Sequence, residues 1–534
     1  MASKHFPASS CFSRLLLGFF FFYLIGFTTA AAVPRADLKA LLTDPVRGWS
    51  KGTIVSFGGT SRFQEATERW TIFNPPTYVA AISPSTEEDV RKVIKLATTL
   101  KFPFLVTGKR HGYGIGLGRL HNGLAIDLSG IRTLDLNKAA QTITIGPGVG
   151  AGDIFDPLYE AGFELRMYIP SSYKILHILS IQLLTRPVII TETGSASCPS
   201  LIGVTLGGGV GRFNGVHGLL LDALVSVRMV TWDGRLITVS KTSYPDLFWA
   251  IRGAGANFGA VVSATYRVHP LRNNGDILSA DFYFPANKSS EYFKAVEALS
   301  GKLPAEMASI SLVLWNNDAN ETQVGANWVY LGPESEGRQA LAPFLAIGPS
   351  YQNISVVKWN KLIATAGGGV EAQTCEDGLY RDLYSMNIKN YSASTYSASF
   401  AKMADFFARY PEARTSILQF EWFPNQAMAA VPLGETAWPW RDATGYVNPN
   451  MIWNKGASAA TAKAASALGR ELREDLRATD GYSGPSVFVN YARGDEKLEE
   501  IYTRQNLPRL ARLKKQWDPH GFFSFNNALP TRYT

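Results

Sequence analysis

An α+β fold with more than one domain is what this chain predicts, and three observations carry that expectation. The first half alternates short apolar runs with glycines and has few long helical patterns. The texture changes after His269-Pro270, where aromatic strand-like runs and an alanine-rich helical pattern take over. A length of 534 residues exceeds one ordinary core, and 46% hydrophobic with 18% charged residues is the balance of a folded globular protein.

The elements follow in order. Ser85-Thr86-Glu87-Glu88 has the spacing of a capping box, and Val90, Val93, Ile94 and Ala97 come after it at helical intervals. Phe104–Thr107, 124–128 and Thr142–Ile145 read as short strands. The pattern over 153–161 predicts a helix stopped by Gly162. Leu224–Val230 and Leu236–Ser240 predict a hairpin around Trp232-Asp233-Gly234, because Asp-Gly suits a tight turn. Residues 245–251 are helix-like. Beyond 270, the runs 280–284 and 417–423 alternate like strands, 457–477 predicts a long helix, and 507–517 predicts a basic helix closing on Asp518-Pro519. No internal repeat is present.

The formal charge is +8. Two of those cations, Lys4 and Arg14, precede the apolar run 15–27 and the small residues Thr28-Thr29-Ala30-Ala31-Ala32, the order of a secretory leader. Residues 1–32 are therefore expected to be a signal peptide, with an uncleaved anchor as the alternative; the apolar run is short for a span. The mature chain would carry about +6 and no membrane segment. No basic cluster with interleaved aromatics marks a nucleic-acid site. Sequons begin at Asn287, Asn320, Asn353 and Asn390, and four behind a leader fit N-glycans on a secreted protein. Of three cysteines, Cys11 lies in the leader. Cys198 and Cys375 remain, paired or free, without metal-ligand spacing. No metal is expected.

The chemistry sits in glycine-rich segments. Gly108-Lys109-Arg110-His111-Gly112-Tyr113 directly follows an apolar run, and Gly207-Gly208-Gly209-Val210-Gly211 precedes Arg212. Glycines let a backbone turn sharply and bring its N–H groups to an anion such as a pyrophosphate. An imidazole there reaches a flat cofactor, so the two blocks together point to a flavin dinucleotide. Gly253-Ala254-Gly255-Ala256-Asn257-Phe258-Gly259 has the wrong spacing and follows a helical pattern, which excludes a nicotinamide fingerprint.

Lys109-Arg110-His111-Gly112-Tyr113, Leu124-Ala125-Ile126-Asp127-Leu128-Ser129, the string from Leu206 to Gly218, that from Asp246 to Gly259, Val489-Asn490-Tyr491-Ala492 and Trp517-Asp518-Pro519 occur in this order. In that order they resemble a fungal member of the berberine-bridge-enzyme-like FAD-linked oxidases, of the vanillyl-alcohol-oxidase fold. The resemblance covers nearly the whole mature chain. It implies a bipartite PCMH-type FAD-binding domain made from 33–270 and returning at 481–534, with an α+β substrate domain, 271–480, inserted.

It also implies the site. His111 matches the histidine bonded to the flavin 8α-methyl. Gly108, Lys109, Arg110, Gly112, Gly207, Gly208, Gly209, Gly211 and Asn490 are expected to hold the FAD. Some relatives add a cysteinyl link eleven residues before the three-glycine block. That position is Ala196 here, and Cys198 is two residues late, so a single histidyl link and a buried Cys198 thiol are expected. In the run 417–423, Gln419 and Glu421 share a strand face. Read without the resemblance, that face is solvent-exposed. The resemblance makes it an active-site floor, with Glu421 as general base, its pKa raised by an apolar flavin face, and Gln419 beside it, while Tyr113 and Tyr491 match positions near the substrate pocket. The implied activity is oxidation of an alcohol, amine or activated ring carbon of a small molecule, a fungal secondary metabolite by class, with dioxygen as acceptor, in a secreted protein. A carbohydrate oxidase and a non-catalytic flavin-binding protein are the alternatives.

Residues 167–192 depart from the family. Glu160-Ala161-Gly162-Phe163-Glu164-Leu165 would run almost directly into Thr193-Gly194-Ser195, and roughly 26 intervening residues are long for a structureless loop. Codons for Arg166-Met167-Tyr168, Leu184-Thr185 and Thr191-Glu192 can spell an intron donor, branch point and acceptor. A retained intron is expected, with a genuine insertion as the alternative; transcript sequencing decides between them.

Overall fold

Two small sheets grow out of the short apolar runs of the first half. The computed structural model describes residues 35–165, 197–368 and 375–534, so the expectations for 1–32, Ala196 and 167–192 lie outside the described residues. Strands β1 (Ile54–Phe57), β2 (Tyr78–Ser83), β3 (Phe104–Thr107) and β4 (Gly123–Asp127) form one sheet in the order β1-β2-β4-β3, parallel across β2-β4-β3. Helix Glu87–Thr99 buries Val90, Val93, Ile94 and Ala97. Its cap is Thr86, not Ser85: the Thr86 hydroxyl accepts the Asp89 N–H, while the Ser85 hydroxyl is taken up by Thr53.

The second sheet contains β5 (Leu134–Asn137), β6 (Thr142–Ile145), β8 (Leu224–Val230), β9 (Leu236–Ser240) and β10 (Ala260–Arg267) in the order β5-β6-β10-β8-β9. Between β6 and β8, β7 (Phe163–Glu164) pairs with β11 (His269–Pro270). The β8–β9 hairpin keeps its expected bounds, but its turn is wider than two residues: Thr231 N–H donates to Arg235 O, and Gly234 takes a φ of 80°. The helix expected over 153–161 divides into a 3₁₀ turn, Gly152–Ile154, and a helix, Phe155–Glu160. Pro157 has no N–H to offer the Asp153 carbonyl, so one continuous helix cannot form there.

After residue 275 the strands lengthen into one antiparallel sheet: β12 (Asp276–Phe284), β13 (Met307–Asn316), β14 (Glu321–Tyr330), β15 (Tyr351–Lys358), β16 (Tyr380–Leu383), β17 (Met386–Ile388), β18 (Ile417–Trp422) and β19 (Gly445–Trp453). The order is β15-β12-β14-β13-β18-β19-β16, with β17 also on β19. Strand periodicity divides its side chains between two cores. Phe282, Phe420 and Trp422 pack with helices Ser289–Glu297, Ala393–Arg409 and Ala459–Arg477. Ile277, Ile310, Leu312, Ile417 and Tyr446 face the first half of the chain and share a core with Leu219, Leu221 and Phe488.

The chain then returns. Helix Leu498–Trp517 buries Leu507, Leu510, Leu513 and Trp517 in that same core. It starts nine residues before the expected 507, because Pro508 and the positive φ of Thr503 interrupt a periodicity that only its second half shows. Helix Pro245–Ala254 likewise kinks at Arg252-Gly253. Among the described residues no helix is long and apolar enough to cross a membrane.

Candidate functional site

The glycine loop that leaves β3 lines a cavity of about 290 Å³, near the lower end of the range for small-molecule sites. Helix Leu201–Gly207 and residues 253–256, 259–261, 488–492 and 522–526 also line it. Gly108 is wedged so tightly that an added Cβ would lie 2.5 Å from Pro147 O. Lys109 Nζ lies beside Gly150. Arg110, at φ 55°, anchors the loop through Glu68 O and through Asp127 Oδ1 at 2.6 Å. Burial pushes the Asp127 carboxyl up, against the pull of Arg110 and Ser129. Gly112 O accepts from Arg69.

The second glycine block meets the returning C-terminal segment. A Cβ at Gly207 would fall 1.8 Å from Asn490 Oδ1, and Asn490 Nδ2 donates to Val204 O at 2.8 Å. Gly207, Val210, Asn490 and Tyr491 line the cavity. Gly209 and Gly211 line a different cavity of about 160 Å³ together with Arg212 and His217. Gly208 packs against Trp438 and Phe488.

His111 stands half-buried in the wall of the first cavity, stacked on Trp70 with ring centroids 4.4 Å apart. Burial, then Arg381 and Arg69, lower its pKa to about 3. The imidazole is therefore neutral at physiological pH and keeps a lone pair. Tyr113 is buried two residues on, its ring 5.8 Å from Trp70.

Glu421 and Gln419 do share a face of β18, and that face is fully buried rather than solvent-exposed. Gln419 Nε2 donates to Glu421 Oε1 at 2.9 Å, and Tyr491 OH reaches both carboxylate oxygens at 3.2 and 3.0 Å. Tyr491 thus joins the cavity wall to the carboxylate. Cross-strand register sets Glu421 in one row with Tyr446, Ile310, Asn327 and Asp281, and Gln419 in the next row with Asn448 and Leu312. Arg212 leans onto this floor, donating to Asn327 O at 3.2 Å. Burial brings its pKa down to about 10 against the opposing pull of Asp281 and Glu421.

The Cys198 expectation needs correction. Cys198 is half-buried and forms a disulfide with Cys375, Cα atoms 5.8 Å apart, instead of remaining a buried thiol. The fold brings the 375–381 segment to the glycine loop, within the reach a disulfide requires. Cys198 Sγ also lies 3.8 Å from His111 Nε2. Trp70, Arg381, Asp281 and Asn448 escaped the sequence reading because they meet the site only through the fold. Arg212 carried a signal, its place directly after the glycine block.

Pliant backbone, Lys109 and Arg110 at a glycine loop, a neutral imidazole and apolar walls at Val210 and Phe488 form a donor set that fits a flat, anionic flavin dinucleotide. The comparisons agree. The family described as "FAD binding domain" matches residues 79–182, ending inside the 167–192 segment, and "Berberine and berberine like" matches 487–530. The FAD-linked oxidoreductase fogF of Aspergillus ruber is 44% identical over 505 residues, 94% of this chain and 96% of that protein. The FAD-linked oxidoreductase OXR1 of Pyricularia oryzae is 44% identical over 483 residues, 90% of each. Among solved structures, Physcomitrella patens BBE-like 1 aligns with a TM-score of 0.74 at 21% identity, over 90% of this chain and 98% of that one. A chitooligosaccharide oxidase aligns at 0.71 and 21%, again over 90% and 98%.

Proposed function

Because this chain belongs to the berberine-bridge-enzyme-like FAD-linked oxidoreductases, we propose that it oxidises an alcohol, amine or activated ring carbon of a small molecule, with Glu421 as the base and dioxygen as the final acceptor. The observation that carries this reading is the buried Glu421 carboxylate, held by Gln419 and Tyr491 on the sheet face turned toward the cofactor cavity. Bound FAD supplies a hydride acceptor and returns to its oxidised form by giving two electrons away.

The protein's part is orientation and proton transfer. Glu421 takes the proton from the substrate's O–H or N–H. Tyr491 and Gln419 fix the carboxylate so that one oxygen faces the substrate. Ile310, Leu312 and Phe423 exclude water from that floor. Lys109, Gly108, Gly112, Gly207 and Asn490 hold the cofactor, Arg110 pins the loop, and His111 carries it covalently through the 8α carbon. A secondary metabolite is the substrate class, as the family resemblance implies. Secretion is supported by a leader-like sequence and by four sequon asparagines, Asn287, Asn320, Asn353 and Asn390, all exposed.

Glu421→Gln tests the base. Removing a general base costs about a hundred- to ten-thousand-fold in rate. The variant should bind FAD normally while substrate reduces the flavin that much more slowly; unchanged reduction kinetics would assign the base elsewhere. A second reading, a carbohydrate oxidase, draws support from amides on the same floor, where Gln419 and Asn448 are cross-strand neighbours and the buried Asn448 Nδ2 has no partner among the described residues. Peroxide release screened against oligosaccharides and aromatic alcohols separates the two.

A further inference from the structure

One segment of the large sheet reaches back and grips the surroundings of His111. Its Gly378 N–H donates to Arg69 O, and Leu379 O accepts from Ile72 N–H. The Thr71 hydroxyl donates to Arg381 O at 3.0 Å and accepts the Arg381 N–H at 3.1 Å. The Arg381 guanidinium donates to Trp70 O and lies over the Trp70 ring, 4.3 Å from its centroid. That indole is fully buried and stacks on the His111 imidazole, 19° from parallel. Cys375, at the start of the segment, is bonded to Cys198 beside His111.

We propose that Trp70 and Arg381 are positioning residues for covalent flavin attachment: the stacked indole, held by Arg381 from the large sheet, fixes the His111 ring at the angle its bond to the 8α carbon requires. This rests on the reading that His111 carries the flavin. Gly112 leaves the loop backbone free to turn, so the rotamer of His111 is set by its ring contacts, the Trp70 stack and Cys198 Sγ at 3.8 Å, and misplacement by about 1 Å can cost a hundredfold. The bond joins an imidazole nitrogen to the 8α carbon. One proton leaves the methyl group and one the imidazole, and two electrons remain on the isoalloxazine until dioxygen takes them, with two protons, as peroxide.

Charge adds a second effect. Arg381, Arg69 and Lys109 face His111 from three segments, with Asp377 beside Arg69 and Arg381. These cations, together with burial, keep the imidazole deprotonated, and only that form can attack. Losing the Arg381 charge favours imidazolium, so attachment should weaken toward acid pH; burial, the larger cause, keeps the titration below that of an ordinary histidine.

The test follows acid-stable flavin fluorescence in full-length chain made under riboflavin limitation and reconstituted with FAD. Wild type should attach flavin at the same rate at pH 5 and pH 8. Trp70→Leu should bind FAD yet attach it about ten- to a hundredfold more slowly at both pH values, and Trp70→Phe should restore the rate. Arg381→Gln should lose rate more steeply than wild type as pH falls from 5 to 4, whereas Arg381→Lys should lose the planar stack but keep the wild-type pH profile. Wild-type rates and pH profiles in both Trp70→Leu and Arg381→Gln would overturn the proposal. If Trp70→Leu does not fold, the contrast between the two Arg381 variants decides it. Wild type without acid-stable flavin, or His111→Ala retaining it, would instead overturn the His111 reading itself.

Discussion

Single residues became legible where chemistry is encoded locally. Glu421 sits two positions from Gln419 on a strand, so periodicity alone put both on one face, whereas His111 taken alone reads as a satisfied loop histidine and its cofactor role comes from the family resemblance. Whether that face met solvent or a core depended on β13 and β19 closing around β18, which no local pattern states. Asp480 shows the same limit and yields a prediction. Burial pushes its carboxyl up to about 6, against the Tyr482 N–H and Arg477, which pull it down. An aspartate in the unfolded chain titrates near about 3.9, so the folded state holds this proton more tightly. Its stabilising contribution is complete below about pH 4 and is lost as pH climbs to about 6. Asp480→Asn keeps an acceptor for the Tyr482 N–H and should flatten the melting temperature between pH 4 and 6 while raising it above pH 6. Parallel wild-type and variant curves would show that the group does not titrate in that window.

Elements were legible to the extent that their periodicity was unbroken. Strands β6, β8 and β9 lie at their expected bounds, bracketed by turn residues such as Asp233-Gly234. Helix Leu498–Trp517 was half-hidden by Pro508 and the Thr503 kink. What fastens that C-terminal return to β16 is a buried ion pair invisible to any window of sequence: Arg493 Nε donates to Asp382 Oδ1 at 2.7 Å, with the Asp382 side chain fully buried. Tyr384 OH and Ser466 Oγ also donate to Asp382, at 2.7 and 2.8 Å. Removing one partner of a buried pair costs about 3–5 kcal/mol because a charge is left uncompensated. Since two hydroxyls would remain, Arg493→Met should cost about 3 kcal/mol, at the lower end of that range. It should also slow turnover, because Tyr491 lies two residues away. Denaturant unfolding of the variant checks the first effect, and a loss under about 1 kcal/mol would show that the hydroxyls alone satisfy the carboxylate.

At the scale of the whole molecule, the sequence announced a change of texture near residue 270 but not how the two halves are joined. The sequence left Cys198 and Cys375 paired or free, since 177 positions separate them, and the contact between Trp70 and Arg381 spans 311. Such joints arise from topology, which places the 375–381 segment, leading into β16 of the eight-stranded sheet, against the glycine loop. A crosslink over so long a loop restricts the unfolded chain more than the folded one and is worth about 2–5 kcal/mol. An oxidising compartment favours its formation, which the proposed secretion would supply. Cys375→Ser should therefore lower the melting temperature of the full-length protein by several degrees, and reductant should do the same to wild type but not to the variant. The variant also leaves a Cys198 thiol beside His111, so maleimide labelling of the folded protein should appear in Cys375→Ser and be absent from unreduced wild type. Labelling of unreduced wild type at Cys198 would mean that the bond does not form in the folded protein, and its stabilising role would fall with it.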